Sequence, residues 1–83
     1  MSKPVPFAAL DNLLRRLGFA ETAVPGSHVR YEHTPSGTVL VLRAHRPGEL
    51  ASWSDTTVVR RFLVEKGLIE GDAFERLLQE EAA

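Results

Sequence analysis

Residues 28–44 read His-Val-Arg-Tyr-Glu-His-Thr-Pro-Ser-Gly-Thr-Val-Leu-Val-Leu-Arg-Ala, and this stretch decides the fold. Its first six residues predict a strand, because Val29 and Tyr31 fall on one face and polar residues on the other. The Thr-Pro-Ser-Gly sequence that follows is typical of a tight turn. Residues 38–44 are rich in β-branched and apolar side chains, which predicts a second and stronger strand. The stretch is therefore expected to form a β-hairpin.

The second strand of this hairpin is apolar without alternation. Residues 39–42 are Val-Leu-Val-Leu, so both faces of the strand are expected to be covered. If the strand lies at the edge of the sheet, its cover could be a partner protein, a second copy of the chain in a homodimer, or the C-terminal helix of the same chain.

An amphipathic helix and a weak strand are expected before the hairpin. The helix is predicted by apolar residues at helical spacing, namely Phe7, Leu10, Leu13, Leu14 and Leu17. Gly18 is expected to end the helix in the left-handed conformation, with Phe19 folding back on its apolar face. Residues 20–24 then predict a short strand.

Two helices are expected after the hairpin. The first should begin near Asp55 or Thr56, either of which is a good N-cap, and stop at Gly67. Asp72, with Glu75 three residues later, is a capping-box pattern that predicts the start of the second. The order α-β-β-β-α plus a short C-terminal helix indicates an α+β fold, in which helices cover one face of a three-stranded antiparallel sheet. A double-stranded-RNA-binding domain has the same outline.

Length and composition favour one small domain. The 83 residues allow a single core, which is expected in residues 1–68, with an acidic C-terminal helix in residues 69–83. Residues 1–66 hold nine Lys and Arg against six Asp and Glu, whereas residues 67–83 hold one Arg against five acids. The absence of cysteine excludes a disulfide framework and a thiolate metal site, and it suits a reducing cytoplasm. No apolar run predicts a signal peptide or a membrane span.

Several short motifs occur in an order typical of one family of small toxins. They are Leu17-Gly18-Phe19, Gly26-Ser27-His28, Tyr31, His45 and Glu65-Lys66-Gly67-Leu68. In these motifs the chain resembles the HicA-type (YcfA-like) mRNA interferases. The resemblance implies the toxin component of a type II toxin–antitoxin system, an endoribonuclease that cleaves mRNA, and a HicB-like antitoxin that covers its active histidine.

The active histidine of that family stands in Gly-Ser-His, so the resemblance assigns the role of general acid/base to His28. RNA is cut without metal or cofactor when a base removes the proton of a 2′-hydroxyl and that oxygen attacks the adjacent phosphate. A free imidazole, with a pKa of about 6.5, suits such proton transfer at neutral pH. The RNA-binding residues expected around it are Gly26, Ser27, Arg30, Arg43 and His45, which offer backbone amides, a hydroxyl, cationic groups and a second imidazole.

Two other functions remain open on the sequence: a non-catalytic RNA-binding module, and a protein-interaction module favoured by the net charge of −1. His33 shares the strand face of Val29 and Tyr31, so it is expected to be a partly buried structural residue. A zinc site is not expected, because His28 and His33 point to opposite faces. Trp53 is expected to cover the edge of the core, with an exposed anchor for a partner as the alternative.

Overall fold

Six elements follow one another along the chain in the computed structural model, which describes residues 4–46 and 48–83. They are α1 (Phe7–Arg16), β1 (Ala20–Ala23), β2 (His28–His33), β3 (Thr38–Arg43), α2 (Trp53–Glu65) and α3 (Gly71–Ala82). Residues 1–3 and Pro47 lie outside the described residues. The order confirms the predicted α-β-β-β-α outline with an added C-terminal helix.

The three strands form one antiparallel sheet in the order β1-β2-β3, so β3 is an edge strand. Within the hairpin, Tyr31 lies opposite Leu40 and Val29 lies opposite Leu42. Residues that lie directly opposite each other share a face of the sheet. This face is buried, and its side chains belong to one hydrophobic core together with residues from all three helices.

The other face of the sheet is open. Burial alternates along the whole of β3, and Val39 and Val41 are 40% and 57% exposed. The C-terminal helix therefore does not cover this face, because the buried residues of all three helices join the core on the other face. Cover of the two valines by a partner protein or by a second copy of the chain stays a prediction.

Helix α1 ends as the sequence predicted. Gly18 has a φ of +98°, and the Phe19 backbone N–H donates to the carbonyl oxygen of Leu14 at 2.9 Å. The Phe19 side chain is 4% exposed and belongs to the core. A Cβ at Gly18 would also lie 3.3 Å from the His33 ring. The left-handed backbone thus favours glycine at this position, and a Cβ there would also press on the His33 ring.

Helix α2 begins earlier than predicted, because its N-cap is Ser52 and not Asp55 or the residue after it. The Ser52 hydroxyl accepts a hydrogen bond from the Asp55 backbone N–H at 3.0 Å, which satisfies one of the free donors of the first turn. Trp53 is the first residue of the helix and lies on a different side from the buried Val59 and Leu63. Because Trp53 is 81% exposed, the prediction that it covers the core edge was wrong.

Helix α3 packs against α1 and does not fold over the open face of the sheet, which was one of the expected covers. Phe74 and Leu78 are buried in the common core, so the core includes the C-terminal helix. At the far end of the helix, Arg16 of α1 pairs with Glu80 at 3.5 Å and with Glu81 at 3.2 Å. No helix in the described part of the chain is long and apolar enough to cross a membrane.

The start of α3 differs from the capping box that Asp72 and Glu75 predict. The helix begins at Gly71, and its N-cap, Glu70, makes no side-chain capping bond. Asp72 therefore lies inside the first turn, where its charge is favourable beside the helix N-terminus but where it cannot act as the cap.

Candidate functional site

Strand β2 begins and strand β3 ends at the same end of the sheet, and each is joined there to a loop outside the hairpin. His28 is the first residue of β2 and lies directly opposite Arg43, the last residue of β3. One further hydrogen bond, from the Ala44 N–H to the Ser27 carbonyl oxygen at 2.7 Å, extends the ladder. Because opposite residues share a face, the side chains of His28 and Arg43 lie on the same open face, and both residues are exposed.

A polar cleft of about 310 Å³, called the hairpin cleft below, opens at this end of the sheet. Its walls come from the hairpin end, the following loop and the start of α2: His28, Val41, Arg43, His45, Ser52, Ser54 and Asp55. A second cleft of about 220 Å³ adjoins it, with Phe7 of α1 and Glu21 of β1 in its wall. His28 and His45 line both clefts, so the two imidazoles belong to one site.

His45 is held from two directions. Its Nδ1 lies 2.7 Å from the carbonyl oxygen of Arg43. Its ring stacks on Phe7, with centroids 4.8 Å apart and planes inclined by 16°. The sequence named His45 as an expected RNA contact; the structure adds a defined orientation beside the core, because Phe7 is buried there.

Arg43 supplies positive charge to the hairpin cleft. Its residue is exposed, and none of the carboxylates in the described ranges lies within ion-pairing distance of it. A guanidinium in this state is suited to bind a planar oxyanion such as a phosphate or carboxylate. Asp55 also lines the cleft and keeps it from being uniformly positive.

The predicted backbone contact at Gly26 and Ser27 lies next to His28 in the chain but outside the walls of both clefts. Gly26 has a φ of +89°, and a Cβ added there would meet nothing within 4 Å. The residue is required for its left-handed backbone and leaves the turn open to a ligand. Ser27 is exposed and uses its carbonyl oxygen in the ladder.

Arg30 is not brought to the clefts, although it shares the open face with His28. Its guanidinium lies 3.1 Å from a carboxylate oxygen of Glu32 on the same strand. That pairing directs the positive charge along the strand and partly neutralises it. Of the predicted RNA-binding residues, Arg43 and His45 therefore meet His28 in one cleft, whereas Gly26, Ser27 and Arg30 line neither cleft.

His33 lies at the other end of β2 and confirms the prediction of a partly buried structural histidine. Its ring contacts Phe19, with centroids 5.2 Å apart, and its Nδ1 lies 2.7 Å from the Ser36 hydroxyl oxygen. In the ranges that the structure describes, no three His, Cys, Asp or Glu residues are placed to hold a metal ion.

Sequence reasoning missed the contribution of α2 to the site. Ser52 and Ser54 place two hydroxyls in the wall of the hairpin cleft, and neither was expected to have a role there. The Ser-x-x-Asp spacing of residues 52–55 is a capping pattern that could have located the helix start. Nothing in the sequence indicates that this helix start lies beside the end of the hairpin.

Comparisons with protein-family models, curated proteins and solved structures found no match to this chain. The chemistry of the site therefore rests on its own geometry. Two imidazoles, one guanidinium and two hydroxyls surround one open cleft. This set can bind an anionic oxygen and can give or accept a proton beside it.

Proposed function

We propose that this protein is a metal-independent endoribonuclease of the HicA toxin type, which cleaves mRNA in the cytoplasm with His28 as general acid/base. The observation that carries the proposal is the convergence of His28, Arg43 and His45 on the hairpin cleft. All three belong to the residues singled out from the sequence, and they come from two strand ends and a loop. The α-β-β-β-α outline, which is also that of a double-stranded-RNA-binding domain, gives further support.

The reaction needs two proton transfers and a cation at the phosphate. A base takes the proton of the ribose 2′-hydroxyl, the 2′-oxygen attacks the adjacent phosphorus, and the departing 5′-oxygen takes up a proton. His28 serves one of these transfers, and the Arg43 guanidinium stabilises the charge that develops on the phosphate oxygens. Hydroxyls from Ser52 and Ser54 can donate to phosphate or ribose oxygens. None of these steps uses a metal ion.

The deciding experiment is cleavage of a long RNA by the purified protein in the presence of EDTA, beside His28→Ala. We expect the substitution to slow cleavage by about 10²–10⁴-fold, the usual contribution of a positioned acid or base. The matched control is His33→Gln, which removes the same residue type from the same strand but lies outside both clefts. It should cut like the parent.

Each result has a plain meaning. If the parent cuts and only His28→Ala fails, metal-independent catalysis through His28 is supported and a contaminating nuclease is excluded. Equal cutting by parent and His28→Ala removes the role of His28. If no preparation cuts RNA, the nuclease proposal fails, and a binding function takes its place.

A partner-binding module is the second candidate, because the edge strand β3 is uncovered. Among the residues that the structure describes, no strand pairs with its outer side, and it exposes Val39 and Val41 on the open face. A HicB-like antitoxin or a second copy of the chain fits such a surface through strand addition. The affinity of an RNA-binding module for RNA falls steeply as the salt concentration rises, because phosphate contacts release counterions. RNA binding at two salt concentrations tests for an RNA-binding module. The molar mass from light scattering tests for association with a partner or a second copy, and the two measurements together separate the candidates.

A further inference from the structure

We propose that His45 is the general base of the cleavage reaction and that His28 is its general acid. The proposal rests on the proposed function, because both roles are defined by cleavage next to a ribose 2′-hydroxyl. It deepens that function by dividing the two proton transfers between two rings that line the same clefts. The way in which the fold holds each ring assigns the roles.

The backbone fixes which nitrogen of His45 carries a proton. Nδ1 lies 2.7 Å from the carbonyl oxygen of Arg43, and a carbonyl oxygen only accepts hydrogen bonds, so Nδ1 must donate. The neutral ring then carries its lone pair on Nε2. Nε2 forms no hydrogen bond with any residue that the structure describes. The neutral form of His45 is therefore a base whose accepting atom is available to a ligand.

The orientation of this base comes from the core. Phe7, which stacks on the His45 ring, is 6% exposed and belongs to the hydrophobic core. The stack and the Nδ1 contact together restrict rotation of the ring about both of its side-chain bonds. A base held in position loses less freedom when the substrate binds, and this favours a short and well-aligned contact with the proton to be removed.

His28 is held differently. Its residue is exposed, and within the described residues its ring has neither a hydrogen-bond partner nor an aromatic neighbour. Such a ring can follow a leaving oxygen and exchange its proton with water. These properties suit the acid, which must protonate a group that moves away as its bond to phosphorus breaks.

The proposed step balances without any further reactant. Nε2 of His45 accepts the 2′-hydroxyl proton as the bond from the 2′-oxygen to phosphorus forms. The bond from phosphorus to the 5′-oxygen breaks, and His28 gives its proton to that oxygen. The products are a 2′,3′-cyclic phosphate end and a 5′-hydroxyl end. Arg43 serves both the base and the phosphate. Its carbonyl oxygen orients the His45 ring, and the residue lines the same cleft, where its guanidinium can bind phosphate oxygens.

The tautomer is tested on the intact protein without RNA. Nitrogen chemical shifts from isotope-labelled histidine distinguish a proton on Nδ1 from a proton on Nε2. We expect neutral His45 to carry its proton on Nδ1. A proton on Nε2 would leave no lone pair facing a ligand and would overturn the assignment of the base.

The division of roles is tested with two substrates. One is RNA, and the other is a uridine 3′-phosphodiester with a nitrophenol leaving group, which departs without needing a proton. His45→Asn keeps an N–H that can reach the Arg43 carbonyl but has no basic nitrogen, so it should lose about 100-fold or more on both substrates. His28→Ala should be impaired on RNA and close to the parent on the nitrophenyl ester. Thermal melting of each variant checks that it is folded.

The outcomes separate the two proposals. The assignment is overturned if His45→Asn is as active as the parent. It is also overturned if the nitrophenyl ester restores the activity of His45→Asn but not that of His28→Ala. Both results leave the proposed function intact. A parent that cuts neither substrate overturns both. If His45→Asn is unfolded, His45→Phe, which keeps a ring to stack on Phe7, replaces it with the same expected losses.

Discussion

The two ends of strand β2 carry the same side chain in opposite surroundings. At the closed end, His33 contacts Phe19 and lies 3.3 Å from the position of a Cβ on Gly18. At the open end, His28 is exposed and borders two clefts. The two histidines are five residues apart, so the strand turns them to opposite faces. His33 points towards the helices, and His28 points away from them.

The segments that pack next to each end of β2 account for this difference. The closed end abuts the C-terminus of α1 and a tight turn, which fill the space around the ring. The open end leads into the turn before β2 and the loop before α2, and these leave a cavity. A histidine is therefore made structural or available by its neighbours in space, since its residue type and its strand are the same in both cases.

The largest expected effect is at the closed end. Phe19→Ala should lower the free energy of unfolding by about 3–5 kcal/mol, because it empties a buried aromatic site. The matched control is Trp53→Ala beside the open end, where the exposed ring should change stability by less than about 0.5 kcal/mol. Urea denaturation measures both. Similar losses for the two variants would erase the contrast between the ends.

A smaller effect is expected at Tyr31, whose hydroxyl donates to a carboxylate oxygen of Asp11 at 2.6 Å. Tyr31→Phe should lower the free energy of unfolding by about 1.5–3 kcal/mol, because it removes a hydrogen bond to a charged group. Burial, and then this hydrogen bond, raise the pKa of Tyr31 above its ordinary value.

The raised pKa of Tyr31 has a pH consequence with a definite sign. Above about pH 10 the unfolded chain releases the phenol proton while the folded chain keeps it, so the free energy of unfolding falls as the pH rises. Unfolding measured across this range should show a steeper loss for the parent than for Tyr31→Phe. Tyr31 is the one tyrosine of the chain, so tyrosinate absorbance reports its ionisation directly. Ionisation of Tyr31 in the folded protein near pH 10 would contradict the burial of its hydroxyl.

Glycines at the two ends offer the next comparison. Gly18 and Gly26 both have positive φ values, but only Gly18 faces a neighbour, the His33 ring. Each substitution by alanine should lower the free energy of unfolding by about 1–2 kcal/mol, because alanine is strained in the left-handed backbone conformation. Gly18→Ala should cost more than Gly26→Ala because of the added contact. Equal midpoints in urea would show that His33 moves aside freely.

The smallest expected effect concerns the histidines themselves. His33→Gln should lower the free energy of unfolding by about 0.5–1.5 kcal/mol, because it loses a hydrogen bond and a ring contact. His28→Gln should stay within about 0.5 kcal/mol of the parent, as for other exposed positions. Paired unfolding curves at one pH measure the difference. A larger loss at His28 would mean that its ring supports the fold.

Much of the fold could be predicted because it depends on local patterns. Strand β2 has the predicted bounds, since strict alternation leaves one solution. Gly18 and Phe19 close α1 as expected. One error occurred where two local patterns competed, at the start of α2, where Ser52 rather than Asp55 caps the helix. Both residues are good caps, and only packing of the helix chooses between them.

The candidate site was predictable in part. The sequence singled out His28, Arg43 and His45, but it gave no reason for Arg43 to lie opposite His28, because that depends on the hairpin register. The hydroxyls of Ser52 and Ser54 could not be assigned to the site, since they come from an element that is distant in the chain. The orientation of His45 depends on its contact with Phe7, 38 positions earlier in the numbering.

The sequence by itself determined the order of the elements, the face that β2 buries and the end of the first helix. These follow from alternation, helical spacing and capping, which act over a few residues. The tertiary structure alone decided that α3 joins the core, that one face of β3 stays open, and that two histidines share a cleft. Such features depend on which surfaces the whole chain can bury together, so no short stretch of sequence contains them.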